Sequence, residues 1–225
     1  MKHFEYNIDE KLQSIALRSI RTKRDLLLLL AYTVKTIIEQ ELLKSVGYEI
    51  EINDNHKLMV HVDKMNRVIY CFDDKIFSYQ MPFIIIDEND GKSTIKFNQE
   101  LVIDSLISSV MITIFEDEYC LDGTIVDVYE RIDSLIKNNY DNIGYIEDEV
   151  WKMLKCLMIY EPGYIRYDDD PNPGRVDEKK HPRYHLDVNY ETPSTYKIGL
   201  KEKVSPREIL SVIDNNSVCA VLHLD

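Results

Sequence analysis

Glycine and proline are scarce, with seven of each in 225 residues, about half the usual share. Their scarcity excludes a low-complexity chain. It also fits the lack of a glycine-rich phosphate loop, and no dinucleotide fingerprint, GxSxG elbow or HExxH pair occurs. Cysteine is limited to Cys71, Cys120, Cys156 and Cys219, none of them in a CxxC pair and all inside apolar runs. Buried free thiols in a reducing cytosol are expected, not a disulfide frame. Positive charge is short as well: 27 Lys+Arg against 40 Asp+Glu leave a net −13. A whole-chain grip on nucleic acid is therefore disfavoured, because phosphate contacts supply most of that affinity. Long apolar runs are missing. The most apolar, Leu26 to Val34, is nine residues long, too short to cross a bilayer. MKHFEYNIDEK at the start lacks a signal-peptide apolar region, so no membrane role and a cytoplasmic location are expected. Three alanines against 27 isoleucines, with abundant Lys, Asn and Tyr, suggest AT-rich coding in a low-GC bacterium or its phage.

The length allows one domain or two small ones, with a core that needs neither disulfide nor metal. Acid is concentrated in residues 116–149, where eleven Asp+Glu face only Arg131 and Lys137. The opposite bias sits at Arg18, Arg21, Lys23 and Arg24. Either stretch can be a solvated face or a partner surface, acidic for a basic protein or basic for phosphate.

Apolar spacing predicts helices over 9–46, with Asp9 as N-cap of the first, a second helix from near Asp25, and Gly47 closing it. Alternation then predicts strands over 48–97: Tyr48–Ile52, Leu58–Val62, Arg67–Phe72, Phe83–Asp87 and Ser93–Phe97, the last two joined through Asp90-Gly91. Three helical stripes occupy 98–160. Short strands follow at Tyr164–Asp168, Tyr184–Tyr190 and Tyr196–Leu200, then a helix opened by Ser205-Pro206-Arg-Glu208 and a closing run Val218–Leu224. The fold expected is α+β: an antiparallel β-meander packed on N-terminal helices, a helical middle, and a small β-rich C-terminal lobe. The chain would divide into a body over 1–160 and a lobe over 161–225 that is not independent.

One constellation could carry chemistry. Side chains alternate along a strand, so Arg166, Asp168 and Asp170 share a face, and so do His185 and Asp187. If the two strands pair, carboxylates and an imidazole converge beside an arginine. Asp168, Asp170, His185 and Asp187 would then suit Mg²⁺ or Mn²⁺. Arg166 would neutralise developing charge on phosphate, and His181 would act as general acid or ligand. The same residues also fit the watered face of an ordinary antiparallel sheet with structural ion pairs, in which case no cofactor is needed.

The C-terminal segment resembles an uncharacterised bacterial family whose members carry R-[FY]-D-x-D-P, a loop, then HP-x-x-HL. Here these are Arg166-Tyr-Asp-Asp-Asp-Pro171 and His181-Pro-Arg-Tyr-His-Leu186, followed by Tyr196–Leu200 and Ser205-Pro206. After the HL pair the family often has a Gly-containing run, whereas this chain has Asp187-Val-Asn-Tyr190. The resemblance implies a prokaryotic cytosolic protein encoded beside restriction, defence or toxin genes, and it implies no reaction. Three functions are therefore weighed. The first is an accessory or regulatory protein-binding subunit of an antiviral defence-type complex, its partner encoded in the same operon. The second is a metal-dependent nuclease or phosphoesterase. The third is an RNA-contacting toxin using Arg18–Arg24 and His181, the only nucleic-acid route the charge leaves open.

Overall fold

A computed structural model describes residues 3–53, 56–62, 65–87, 93–98, 100–140, 144, 147–191, 194–214 and 217–218. In chain order the elements are β1 (His3–Asn7), α1 (Glu10–Ala16), α2 (Lys23–Ser45), β2 (Lys57–His61), β3 (Arg67–Cys71), β4 (Lys75–Gln80), β5 (Ile84–Asp87), β6 (Ser93–Phe97) and β7 (Leu101–Val102). Then come α3 (Ser105–Glu116), α4 (Ile125–Asn139), α5 (Glu147–Ile159), β8 (Ile165–Asp169), β9 (Tyr184–Val188), β10 (Tyr196–Gly199) and α6 (Pro206–Ile213). The fold is α+β, as the pattern of periods implies. It forms two compact units: residues 1–7, 52–80 and 162–225, and residues 8–51 and 81–161.

The first unit is a seven-stranded antiparallel sheet in the order β1-β2-β3-β4-β8-β9-β10. One face carries Met59, Ile69, Cys71, Ile76, Tyr167 and Leu186 and is covered by Ile209 of α6. That helix starts where its capping chemistry dictates. Ser205 accepts from the Glu208 backbone N–H, the Glu208 carboxylate accepts from the Ser205 N–H at 2.7 Å, and Pro206 fills the first turn. The other face changes character across the sheet. Tyr6, Tyr70, Phe77 and Tyr79 are at most 1% exposed, and Tyr70 and Phe77 stack 4.5 Å apart. Beyond Phe77 the same face turns ionic, because Phe77 pairs with Arg166 and Arg166 with Asp187.

The second unit joins α1–α5 to the sheet β5-β6-β7. Asp9 caps α1 by accepting from the Leu12 N–H at 2.8 Å and takes the Thr36 hydroxyl of α2 at 2.8 Å. A Thr22/Asp25 capping box opens α2, whose residues 26–34 are buried on every side, as their unbroken apolar run requires. Gly47, at φ +90°, terminates that helix in a conformation glycine adopts without strain.

Several expectations need correction. Tyr48–Ile52 is not a strand. The edge of β2 it would have used is taken by β1, which sequence reading missed. Strand β4 was also missed, because its inner residues are buried on both faces and show no alternation of polarity. The meander is split, with β5 and β6 in a separate sheet against α2. The C-terminal segment is no lobe of its own, because β8 pairs with β4 and completes the large sheet. The body over 1–160 is divided likewise, its first residues and 52–80 belonging with 162–225. The Asp90-Gly91 turn and most of Val218–Leu224 lie outside the described residues.

Nor are all the thiols buried. Cys156 is exposed, Cys71 and Cys120 are buried, and Cys219 lies outside the described residues. Burial raises the Cys71 thiol from the usual 9.0 to about 11 and Cys120 to about 12. A rise of two pH units leaves Cys71 about a hundredfold less thiolate, and thiolate is the reactive form. In the native protein a thiol reagent is expected to label Cys156 promptly, and Cys71 and Cys120 only on unfolding. Peptide mapping of timed labelling checks this, and early modification of Cys71 would refute it.

Candidate functional site

The two strands of the constellation do pair. Strand β8 lies antiparallel to β9 with Arg166 opposite Asp187 and Asp168 opposite His185. Paired residues in register point to one face, so all four side chains meet. Arg166 donates through Nε to Asp168 Oδ2 at 2.8 Å, with Nη2 in ion-pair contact with the same oxygen at 2.7 Å, and donates through Nη2 to Asp187 Oδ2. Lys197 of β10, opposite Asp187, donates to its Oδ1 at 2.5 Å. The cluster is mostly dry: the His185 side chain is 1% exposed, Asp187 6%, Asp168 19% and Arg166 23%.

Burial by itself would raise the Asp168 carboxyl. Arg166, through its charge and its hydrogen bond, reverses this and holds it below the usual aspartate value; His185 Nε2, 3.4 Å away without hydrogen-bond alignment, makes no bond to it. Lys75, opposite Asp168 on β4, is lowered to about 8, first by burial and then by the charge of Arg166. Lys75 and Lys197 belong to the ionic cluster and were not foreseen. No local pattern marks them, since only the strand order sets them beside the carboxylates.

His185 has a defined tautomer. Its Nδ1 is 2.8 Å from the Pro182 carbonyl oxygen, which can only accept, so Nδ1 carries the proton. In the neutral imidazole Nε2 is then the lone-pair nitrogen. It is buried without a hydrogen-bond partner, 3.4 Å from Asp168 Oδ2 and 3.8 Å from Asp187 Oδ1. Gly199 lets Pro182 come this close, since a Cβ there would stand 2.9 Å from Pro182 Cγ.

Asp170 and His181 fall outside this group. Strand β8 ends at Asp169, so Asp170 begins the loop, accepting from the Asn172 N–H at 3.1 Å and lying 3.5 Å from His181 Nε2. His181 touches the cluster only by its ring, 4.6 Å from that of His185. Among the described residues, the group that could hold a metal ion is Asp168, His185 and Asp187, whose candidate ligand atoms lie within 4.8 Å of one another; Asp170 is not part of it.

No protein-family model, curated protein or solved structure matches this chain.

The basic stretch is partly consumed inside the fold. Arg24 donates to the Phe115 and Glu116 carbonyls at 3.0 and 3.3 Å, neutralising the carbonyl end of α3. Lys23 reaches the Tyr160 carbonyl and lies over its ring. Only Arg18 and Arg21 of the four are exposed. Among the described residues no helix is long and apolar enough to cross a membrane.

The acidic stretch presents a different surface. Helix α4 buries one stripe, Val128, Ile132 and Ile136. It leaves Ile125, Val126 and Tyr129 exposed at 74%, 59% and 49%. Tyr129 is held in place by stacking on Trp151 at 4.6 Å. Exposed Glu118, Asp122 and Glu130 flank this group in sequence, whereas Asp117 and Asp133 are paired with Arg131 and Lys137.

Proposed function

We propose that this chain is an accessory protein-binding subunit whose α4 face holds a basic partner protein. The observation that carries this reading is the exposure of Ile125, Val126 and Tyr129 beside Glu118, Asp122 and Glu130. Apolar and aromatic anchors with a charged surround are the usual make-up of a specific interface. Negative charge at the rim selects a positive partner and speeds its approach. The defence-type setting rests on the C-terminal resemblance.

A second reading, a nuclease or phosphoesterase using Mg²⁺ or Mn²⁺, is favoured by the meeting of Asp168, His185 and Asp187. It is the weaker one. Arg166, cast to neutralise phosphate, already bonds both carboxylates, and His185 is almost wholly buried. Cleavage of nucleic acid with Mn²⁺ that disappears in Asp187→Ala would promote it.

The test of the first reading is co-purification of the chain with the products of neighbouring genes, followed by affinity measurement on Val126→Asp/Tyr129→Ala. Val126 is exposed, but Tyr129 also covers Trp151, so urea unfolding of the variant is measured alongside to separate lost binding from lost folding. Binding is expected to weaken by about 30-fold or more, the scale of losing one hot spot. A complex that ignores both substitutions, or a chain that stays alone with every neighbour, overturns the proposal.

A further inference from the structure

We propose that Asp168, His185 and Asp187 form a three-ligand site for a divalent transition-metal ion, Zn²⁺ fitting best. The inference is independent of the α4 surface and requires no catalysis.

The decisive feature is the orientation of His185. Its Nδ1–H is committed to the Pro182 carbonyl, the arrangement by which metal-binding histidines fix their tautomer and aim the other nitrogen. The lone pair of Nε2, on a side chain 1% exposed, has no hydrogen-bond partner and faces two carboxylate oxygens. A lone pair aimed at anionic oxygens is repulsive unless a proton or a metal ion sits between them, and a buried nitrogen with no aligned hydrogen bond to either carboxylate is the geometry a metal ion satisfies. The spacing suits an ion. With metal–ligand distances of about 2.1 Å, tetrahedral ligands stand about 3.4 Å apart. Nε2 stands 3.4 Å from Asp168 Oδ2 and 3.8 Å from Asp187 Oδ1, and all three ligand atoms lie within 4.8 Å of one another, so an ion would draw the two carboxylates together while the histidine stays in place. An imidazole with two carboxylates suits Zn²⁺, whereas Mg²⁺ prefers oxygen ligands and keeps several waters. Asp168, the most exposed of the three, is the side from which the ion enters and a water completes the shell.

Arg166 and Lys197 are the competing cations. An ionised carboxylate offers about four acceptor positions, so Arg166 can stay on Asp168 and on Asp187 Oδ2 and orient both. Arg166 sits on Asp168 Oδ2 and Lys197 on Asp187 Oδ1, the two oxygens that face Nε2. Both oppose the ion, but Lys197 orients only one of the carboxylates, so its removal should tighten binding.

The experiment uses the full chain, stripped with chelator, in a Cys156→Ser background so that the exposed thiol takes no metal. Titration with Zn²⁺ is expected to saturate at one ion per chain and raise the melting temperature. Lys197→Met should bind Zn²⁺ roughly tenfold tighter. His185→Ala should lose more than the roughly 10–100-fold that removing an outer partner costs, while His181→Ala binds as before. Should His185→Ala fail to fold, Co²⁺ added to the unmutated site decides the matter by the visible absorption of tetrahedral nitrogen–oxygen coordination. No saturable uptake, uptake that survives His185→Ala, an unchanged or weaker Lys197→Met, or an octahedral Co²⁺ spectrum each overturns the assignment.

Discussion

Replacing Arg166 with Met is expected to remove about 3 kcal/mol of folding stability, the lower end of what breaking a buried ion pair costs. The lower end applies because the arginine side chain is 23% exposed. It is the hub of the ionic cluster, holding Asp168 through two nitrogens and Asp187 through one of them. Without it Asp187 keeps only Lys197, and Asp168 is left facing a histidine nitrogen that offers no proton. The loss arises from carboxylates left unpaired in a dry place, not from the worth of the pair. A second substitution that removes one carboxylate, Asp187→Asn, should therefore cost less on top of Arg166→Met than by itself, with a coupling of about 1 kcal/mol or more. The pH dependence has a definite sign. The folded Asp168 carboxyl lies below its ordinary 3.8, so its contribution is present above that value and drains away as pH falls through the folded-state value. Arg166→Met should flatten that acid limb. Urea unfolding at several pH values reads all three quantities, and a single-variant loss under about 1 kcal/mol would show the cluster to be loosely held.

Phe77→Ala is the second large effect, about 3–5 kcal/mol. Phe77 is 1% exposed and stacks on Tyr70 at 4.5 Å. It also stands in register with Arg166, on the boundary between the aromatic and ionic parts of one sheet face. Truncation opens a cavity among rings that cannot close in, and ring stacking adds to the loss. Phe77→Leu, which keeps most of the volume, should cost about half as much or less. Equal losses for the two variants in urea would argue against tight packing at this boundary.

Much of the candidate site could be read before any fold was known, for a simple reason. Alternation along an extended segment is local, so Arg166 with Asp168, and His185 with Asp187, had to share a face once each segment was a strand. Asp170 obeyed that rule on paper and failed it in fact, because the strand stops at Asp169 before Asp170-Pro171. Cys156 failed for the converse reason: an apolar neighbourhood in sequence does not say which side of α5 a residue occupies. The value of the acidic stretch also changed with structure. Its charge was plain from composition, but the exposed Ile125, Val126 and Tyr129 were indistinguishable from core residues until α4 showed a single buried stripe.

What the sequence alone determined is what a few neighbouring residues decide among themselves. The Ser205/Glu208 capping box, the Asp9 cap, the glycine end of α2 and the two-residue period of β8 and β9 are all of this kind. Tertiary structure decided which strands became neighbours. It brought Lys75 and Lys197 to the carboxylates, gave the edge of β2 to β1, and divided the strands between two sheets. Strand order is settled by burial and pairing summed over residues far apart in the chain, and no short window of sequence contains that sum.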